Sequence, residues 1–585
     1  MGLFHKILLS FSLLLTISFF NLSFSQQQIL EEREPEAATG FTNKRLVKTD
    51  NYMVAAANPY AAWAGKNIIE KGGSAIDAAV AIQAMLTLVE PQSSGIGGGA
   101  FIMYWDNTAK KLYTFDGRET APANIRSDVF FKNGQPMKWR DAVVGGKSVG
   151  VPGVLRALEH AHAKFGKLAW NQLFVDAINQ SEKGFTVSPR LARLIELDIH
   201  PGVNEFYDTK QYFKPNGKPL KNGDVKQNPA LADTLKLIAK NGADAFYTGP
   251  IAEKIATAVR IASINPGSLT VQDLKNYKVI ERQAMCNPYR TVRVCGMAPP
   301  SSGGVTVYQI LKLLERFDLS KYQYNSAEFV HLFSQASALA YADRNKYIAD
   351  LSFMDMSPIP LITPSYLNQR AQKVGLDKKW EKAEAGQPYY ASNVAYDDAY
   401  ELDSTSHISI VDKQGNAISM TSSIEFMFGS GLMVEGFLLN NQLTDFSINP
   451  MKDNKPVLNR AQPNKRPRSA MSPTMIFDKD NKLELVVGSP GGSRIINYVA
   501  QTIVNVVDFQ LDIQSAIDAP RITNRNDVTS LEKGTSIVEL ESNLTSLGHE
   551  VRVVDLNSGL HGVQIKNGKL YGGADPRREG VAAGN

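Results

Sequence analysis

From Thr405 onward the chain changes texture, and that change constrains the fold more than any other feature. His407–Val411 and Ala417–Ser423 are short β-type runs joined by Asp412-Lys413-Gln414-Gly415-Asn416, a hairpin signature. Further strand candidates follow at Gly436–Asn440, Thr474–Phe477 and Leu483–Val487, then a helix over Arg494–Val507. Upstream the pattern is mostly helical. Asn58–Lys71 stops at Gly72-Gly73, and Ser74 opens the next helix with Asp77 completing a capping box, ended by Glu90-Pro91. Val154–Phe165, Ala169–Lys183, Pro229–Lys240, Ile251–Ser263 and Ala327–Ile348 carry the same helical spacing. Phe101–Trp105 and Lys111–Phe115 read as a hairpin, and Tyr277–Met297 as strand-rich. Strands and helices therefore come in blocks rather than in strict alternation. That excludes a doubly wound parallel sheet and predicts layered sheets covered by helices.

Length and charge narrow the function. A chain of 585 residues exceeds one ordinary core, although a large layered enzyme can run that far as one body. With 43% hydrophobic and 21% charged residues it is globular rather than disordered. A net charge of only +5, with no long Lys/Arg run, lacks the electrostatic footprint of a nucleic-acid binder. Cys286 and Cys295 are the only cysteines, which excludes a disulfide scaffold and a four-cysteine zinc site; whether the two pair is left open. The eight histidines are scattered, so neither a dedicated metal site nor a cofactor is expected.

The first 25 residues have the order of a secretory signal. His5 and Lys6 precede an apolar run, Ile7–Phe20, and the small residues Ser23 and Ser25 flank Phe24 before Gln26. The run is shorter than the roughly 20 residues a spanning helix needs. An exported protein, periplasmic or secreted, is expected, with residues 26–47 as a mobile lead-in to the folded body.

Three motifs attract attention and fail on context. Gly95-Ile96-Gly97-Gly98-Gly99-Ala100 fits a dinucleotide fingerprint, but a helix precedes it and a strand follows, the reverse of what that fingerprint requires. Gly146-Lys147-Ser148 lacks the upstream glycine of a phosphate loop, since Asp141 stands there. Gly146-Lys147-Ser148-Val149-Gly150 matches a nucleophile elbow, yet Val151-Pro152-Gly153 delays the helix that should follow at once. A serine hydrolase using Ser148 remains an alternative.

The chemistry points instead to Asp403-Ser404-Thr405-Ser406-His407. A threonine hydroxyl is a poor nucleophile unless a base takes its proton. A cut between Ser404 and Thr405 would give Thr405 a free α-amine, of ordinary pKa about 8, beside its own hydroxyl. Ser404-Thr405-Ser406-His407 and Val411–Ala417 resemble the small-subunit start of γ-glutamyltransferases, which are N-terminal nucleophile hydrolases. The resemblance continues through Phe428-Gly429-Ser430-Gly431, Leu439–Phe446, Pro463–Pro467, Met471–Thr474 and Gly488–Ile496. Upstream, Gly72–Ala79, Gly95–Gly99, Arg118–Pro122 and Pro300–Gly304 also match, so the likeness runs in order from about residue 48 to Arg577.

The resemblance implies an α+β fold, a four-layer αββα sandwich of the N-terminal nucleophile hydrolase type, built from two chains after self-cleavage. Residues 48–404 would form the large subunit and 405–585 the small one, held as a heterodimer. The implied activity is transfer of a γ-glutamyl group from glutathione and related donors to water, amino acids or dipeptides. By the same resemblance Thr405 is the nucleophile, Ser423 its hydroxyl partner, and the amides of Gly491 and Gly492 the oxyanion donors. Arg118, Ser469 and the Ala470 amide would hold the donor's α-carboxylate, and Glu425, Gln442 and Asp445 its α-ammonium. Taken singly, Arg118 beside Asp116 reads as a surface ion pair and Gly491-Gly492 as a plain helix entry; the ordered set is what points to a site.

Three positions depart from the family pattern. Ser423 stands where a second threonine is usual, Glu425 where many members have Asn, and Ala470 where a second serine is frequent. Ser447–Arg468 contains no aromatic residue and is shorter than the lid of some members, which predicts an open cleft. Rival readings are a glutaryl- or cephalosporin-type acylase of the same superfamily, which would need no ammonium acceptors, and an exported non-enzymatic binding protein.

Overall fold

Successive residues of the strand Gly99–Asp106 enter two different cores. Ala100, Ile102 and Tyr104 lie in one buried cluster with the helices Pro59–Glu70 and Ala75–Val89. Phe101, Met103 and Trp105 lie in another, with Phe477, Val486 and the helices Gly303–Leu314, Ala327–Tyr347 and Ile495–Val507. A period of two with both faces apolar requires a sheet covered on both sides. In the computed structural model, which describes residues 40–355, 357–388, 393–402 and 404–585, the cover is helical on one face and a second sheet on the other. The signal segment, most of the lead-in and Asp403 lie outside the described residues.

The first sheet contains β1 (Val47–Thr49), β6 (Met285–Tyr289), β7 (Val292–Gly296), β10 (Thr474–Phe477), β11 (Leu483–Gly488), β12 (His561–Lys566) and β13 (Lys569–Ala574). Its spatial order is β1-β13-β12-β11-β10-β7-β6. The second contains β2 (Met53–Ala56), β3 (Gly99–Asp106), β4 (Lys111–Gly117), β5 (Ile280–Glu281), β8 (Thr405–Val411), β9 (Ala417–Ser423) and β14 (Val581–Gly584). Its order is β14-β2-β8-β9-β3-β4-β5. Every pairing in both is antiparallel. The result is the αββα sandwich.

Each sheet mixes strands from before and after residue 404. In the first, β1, β6 and β7 precede it and β10–β13 follow; in the second, β2–β5 precede it and β8, β9 and β14 follow. A cut at that point would leave two chains sharing both ladders and both apolar cores. Each fully buried large side chain is worth about 1.5–3 kcal/mol, so the halves need no covalent link to stay together.

Some local details differ from the sequence reading. Ala169–Lys183 is not one helix: a 3-10 turn, Trp170–Phe174, runs into an α-helix at Val175–Lys183. Gly436–Asn440 yields only Phe437–Leu438 as strand, paired with Met433–Val434. The strand stops because the Asn440 carboxamide turns away to bind the Gly97 and Gly150 carbonyls. Cys286 and Cys295, directly opposed on β6 and β7, are disulfide-bonded. Among the described residues, no helix is long and apolar enough to cross a membrane.

Candidate active site

Thr405 is the first residue of β8. Strand parity puts its side chain on the same face as Val411, in the inter-sheet layer, opposite Ile408 and Ile410 beneath the helices. The register of the hairpin sets it across from Ser423, the last residue of β9. The Thr405 hydroxyl donates to Ser423 Oγ at 3.2 Å, and Ser423 Oγ donates to the Ser404 carbonyl at 2.8 Å. Ser423 Oγ also accepts the Glu425 N–H at 2.8 Å, which fixes its direction. The nucleophile candidate, its hydroxyl partner and the carbonyl of the preceding peptide thus form one short chain of hydrogen bonds, with Thr405 only 3% exposed. Arg578 Nη1 reaches the Thr405 carbonyl at 3.4 Å, and Ser404 Oγ donates to the Gln92 carbonyl.

The Gly491-Gly492 turn enters the helix Ile495–Val507. Gly491 has φ +133°, and a Cβ there would meet the Tyr498 ring at 2.6 Å, so only glycine fits. The next residue, Ser493, donates its N–H to the Glu401 carbonyl at 2.9 Å, which brings the turn against the chain just upstream of the junction.

Arg118 follows β4 and is fully buried, not a surface residue. Asp116 accepts the Arg118 backbone N–H at 2.9 Å, but its ion pairs are with Arg282 and Arg466. Arg118 Nε donates to the Pro467 carbonyl at 3.1 Å, and Nη2 to Asp445 Oδ2 at 2.5 Å and the Arg468 carbonyl at 2.7 Å. Gln442 Nε2 donates to the same Asp445 oxygen at 2.9 Å. Arg118 Nη1, Asp445 Oδ1 and Gln442 Oε1 are buried with no hydrogen-bond partner among the described residues. Nη1 has only Glu119 near it, at 3.6 Å. Glu425 Oε1 accepts the Leu402 N–H at 3.1 Å and its other oxygen accepts from Asn441. Ser469 Oγ accepts the Met471 N–H at 3.1 Å, and Ala470 is buried in the inter-sheet core.

This buried cluster sets three carboxyls, on Glu119, Glu425 and Asp445, around the Arg118 guanidinium. Burial is the main cause that pushes Glu119 up to about 8 and Asp445 up to about 6, against the opposing pull of Arg118. Glu425 lies well above the usual carboxylate range, again through burial first and the Asp445 charge second. Both Glu119 oxygens are likewise buried without a hydrogen-bond partner among the described residues, so one guanidinium donor stands among an excess of acceptors, an arrangement that suits a ligand with one carboxylate and one ammonium group.

Ser148 does not belong to this constellation. Its hydroxyl donates to the Val143 and Gly145 carbonyls at 2.7 and 2.9 Å, with no histidine among its partners. It holds a buried 3-10 turn, and the serine-hydrolase alternative is withdrawn on that ground. Gly97 and Gly98 are close-approach positions: a Cβ on either would sit 2.1 Å from a carbonyl oxygen, of Leu438 or Ser423. The open cleft expected from the short Ser447–Arg468 segment concerns the processed enzyme; in the uncut chain Ala395 bridges Val457 within that segment, and Leu402 and Ser404 are buried beside Thr405. Sequence reasoning missed Glu401 and its two buried partners, Arg344 and Arg468, as well as Arg578.

Comparison with known proteins places this geometry in context. A family model described as gamma-glutamyltranspeptidase matches residues 61–585. The chain is 38% identical over 546 residues to the glutathione hydrolase proenzyme of Bacillus subtilis (strain 168), covering 91% of each. The crystal structure of a cephalosporin acylase from Bacillus halodurans is similar with a TM-score of 0.82 at 27% identity, covering 94% of this chain and 98% of that one. Helicobacter pylori γ-glutamyltranspeptidase is similar with a TM-score of 0.55 at 30% identity, covering 61% of this chain and 98% of that one.

Proposed function

The chain belongs to the γ-glutamyltranspeptidase family, and from that premise we propose a self-processing γ-glutamyltransferase and glutathione hydrolase working through a γ-glutamyl ester of Thr405. Processing comes first. Thr405 Oγ adds to the Ser404 carbonyl carbon while the Ser423 hydroxyl, already donating to that carbonyl oxygen, stabilises the developing charge. The C–N bond breaks as the Thr405 nitrogen takes the proton, and the acyl group passes to Oγ. Water hydrolyses this ester, leaving the Ser404 carboxylate on one chain and a free Thr405 amine and hydroxyl at the start of the other.

Turnover reuses the same hydroxyl. The donor's α-carboxylate takes Arg118 Nη1, with Ser469 and the Ala470 amide beside it. Its α-ammonium takes Asp445 Oδ1, Gln442 Oε1 and Glu425. Clamping both ends of the glutamate fixes the γ-carbonyl against Thr405, which replaces a search over orientations with a near-attack geometry. The Thr405 amine accepts the hydroxyl proton, the Gly491 and Gly492 amides receive the oxyanion, and the proton then goes to the leaving amine. Water, or the amine of an amino acid or dipeptide, releases the γ-glutamyl group. The signal-like residues 1–25 and the Cys286–Cys295 bond favour a periplasmic or secreted enzyme.

The observation that carries this reading is the set of buried, unpartnered atoms on Arg118, Asp445 and Gln442, with the two Glu119 oxygens beside them. It also separates the proposal from an acylase, which the Bacillus halodurans likeness brings into play. A glutaryl group has no ammonium, so it would leave Asp445 Oδ1 and Gln442 Oε1 unsatisfied. Purified enzyme is expected to show two chains, the smaller beginning at Thr405, and to prefer a γ-glutamyl over a glutaryl anilide by about 10²-fold or more in kcat/KM. Equal rates on the two anilides would favour the acylase.

The pH dependence follows from Asp445, whose carboxyl burial raises to about 6. Its ionised form is the ammonium acceptor, so kcat/KM should fall as the pH drops through about 6. In the complex the donor's ammonium favours the ionised form, so the acid limb of kcat should lie at lower pH. Acid limbs of kcat and kcat/KM that coincide would remove Asp445 from this role.

A further inference from the structure

One buried cation touches the nucleophile and has no part in the reaction above. Arg578 lies on the crossover between β13 of the first sheet and β14 of the second, and is 4% exposed. Its guanidinium spans two segments. Nε and Nη2 donate at 3.1 Å each to the side-chain and backbone oxygens of Asn557, and Nη1 donates at 3.4 Å to the Thr405 carbonyl. The seat is itself fixed. Asp575, at the start of the crossover, accepts from Ser558 Oγ at 2.6 Å and from the Leu560 N–H at 3.0 Å, which ties the Asn557 loop down. The arginine stem also crosses Gly559, where a Cβ would meet Arg578 Cδ and Pro490 Cγ at 2.6 Å each. Arg578 therefore packs beside the residue that leads into the Gly491-Gly492 turn.

Cleavage changes what Thr405 depends on. In the uncut chain its nitrogen is held by the Ser404 peptide, whose carbonyl accepts from Ser423 and whose hydroxyl donates to the Gln92 carbonyl. Once the bond between Ser404 and Thr405 is broken, neither contact bears on Thr405. It becomes the first residue of its chain as well as the first of β8, and chain ends fray unless they are tied down. On its own side of the cut Thr405 keeps the ladder to β9, the Ser423 hydroxyl and the Arg578 bond to its carbonyl. Carbonyl, amine and side chain share one Cα, so an anchored carbonyl limits where the amine and the hydroxyl can go.

We propose that Arg578 is a positioning residue of the mature enzyme: it anchors the Thr405 carbonyl after cleavage and so holds the new amine and hydroxyl against the donor's γ-carbonyl. The inference rests on the γ-glutamyl reading of the site, with processing before turnover. A charged donor bonds a carbonyl more strongly than a neutral one, and the guanidinium fork holds the Asn557 loop and Thr405 at once. The donor's carboxylate and ammonium are assigned to other residues, so loss of Arg578 falls on the chemical step and not on donor binding. Processing is spared as well, since there Thr405 is still held through Ser404.

The test uses two variants of the full chain. Arg578→Met keeps an unbranched stem over Gly559 but donates nothing, and Arg578→Lys keeps a charged donor. Arg578→Met is expected to process completely, with its small chain starting at Thr405, and to release γ-glutamyl anilide with kcat lowered by roughly 10²-fold. Its Ki for free glutamate, which carries the same α-carboxylate and α-ammonium, should stay within about twofold of the parent. Arg578→Lys should recover at least about tenfold of the lost kcat. A general loss of packing would instead raise the glutamate Ki as kcat falls, and lysine would not relieve it. The inference is overturned by a processed Arg578→Met enzyme with kcat within about tenfold of the parent. A methionine variant that folds but stays one chain overturns it too, as does a glutamate Ki that rises as far as kcat falls. Should the methionine variant fail to fold, the lysine variant decides: kcat within about tenfold of the parent supports the inference, and a larger loss in a processed enzyme overturns it. An unaltered enzyme that processes itself but releases no anilide overturns the proposed function, and this inference with it.

Discussion

Thr405→Ala is expected to remain a single chain on a denaturing gel and to lose γ-glutamyl transfer by roughly 10⁴-fold or more. Both effects have one cause. The Thr405 hydroxyl sits in a hydrogen-bond chain with Ser423 and the Ser404 carbonyl, and no other hydroxyl there gains a free α-amine on cleavage. Ser423 is mid-chain and already oriented by Glu425, so it cannot act as nucleophile and base together. Thr405→Ser keeps the hydroxyl but loses the branching that restricts χ1, so it should process and turn over more slowly without being dead. Ser148→Ala should process and turn over normally, since Ser148 only holds its own turn. N-terminal sequencing and anilide release read all three. A Thr405→Ala protein that still splits before residue 405, or that still turns over γ-glutamyl anilide, would sink the mechanism.

Much of that site was legible because local rules fix it. Two seven-residue strands joined by a five-residue turn at Asp412–Asn416 can pair in one main register, and that register sets Thr405 opposite Ser423. The capping box of Ser74 and Asp77 formed as read, since it depends on residues three apart. Blocked strands and helices gave layers, but not which strands cross between the sheets. The Asn567-Gly568 turn between β12 and β13 is a readable hairpin signal that the sequence reading passed over. The Glu401 cluster was out of reach for a different reason. Its arginines lie 57 and 67 residues away along the chain, and no periodicity reports a contact of that kind.

Arg118→Gln is expected to lower kcat/KM on γ-glutamyl anilide by about 10³-fold, and Arg118→Lys to recover little of it. The guanidinium does two jobs at once. Nη1, without a hydrogen-bond partner among the described residues, is the donor proposed for the α-carboxylate, while Nε and Nη2 hold Asp445 and the carbonyls of Pro467 and Arg468 in place. A lysine ammonium is a point charge and cannot span those four directions. Without Arg118 the Asp445 carboxyl loses the nearby positive charge that opposes its burial. Its pKa then rises further, it binds a proton at neutral pH, and the ammonium acceptor is lost together with the carboxylate donor. The acid limb of kcat/KM should therefore move to higher pH in Arg118→Gln, a signature that simple loss of packing would not give. Self-cleavage should survive, because the Thr405–Ser423–Ser404 hydrogen bonds do not pass through Arg118. A processed Arg118→Gln enzyme with kcat/KM close to the parent and an unmoved limb would show that the donor's carboxylate is held elsewhere.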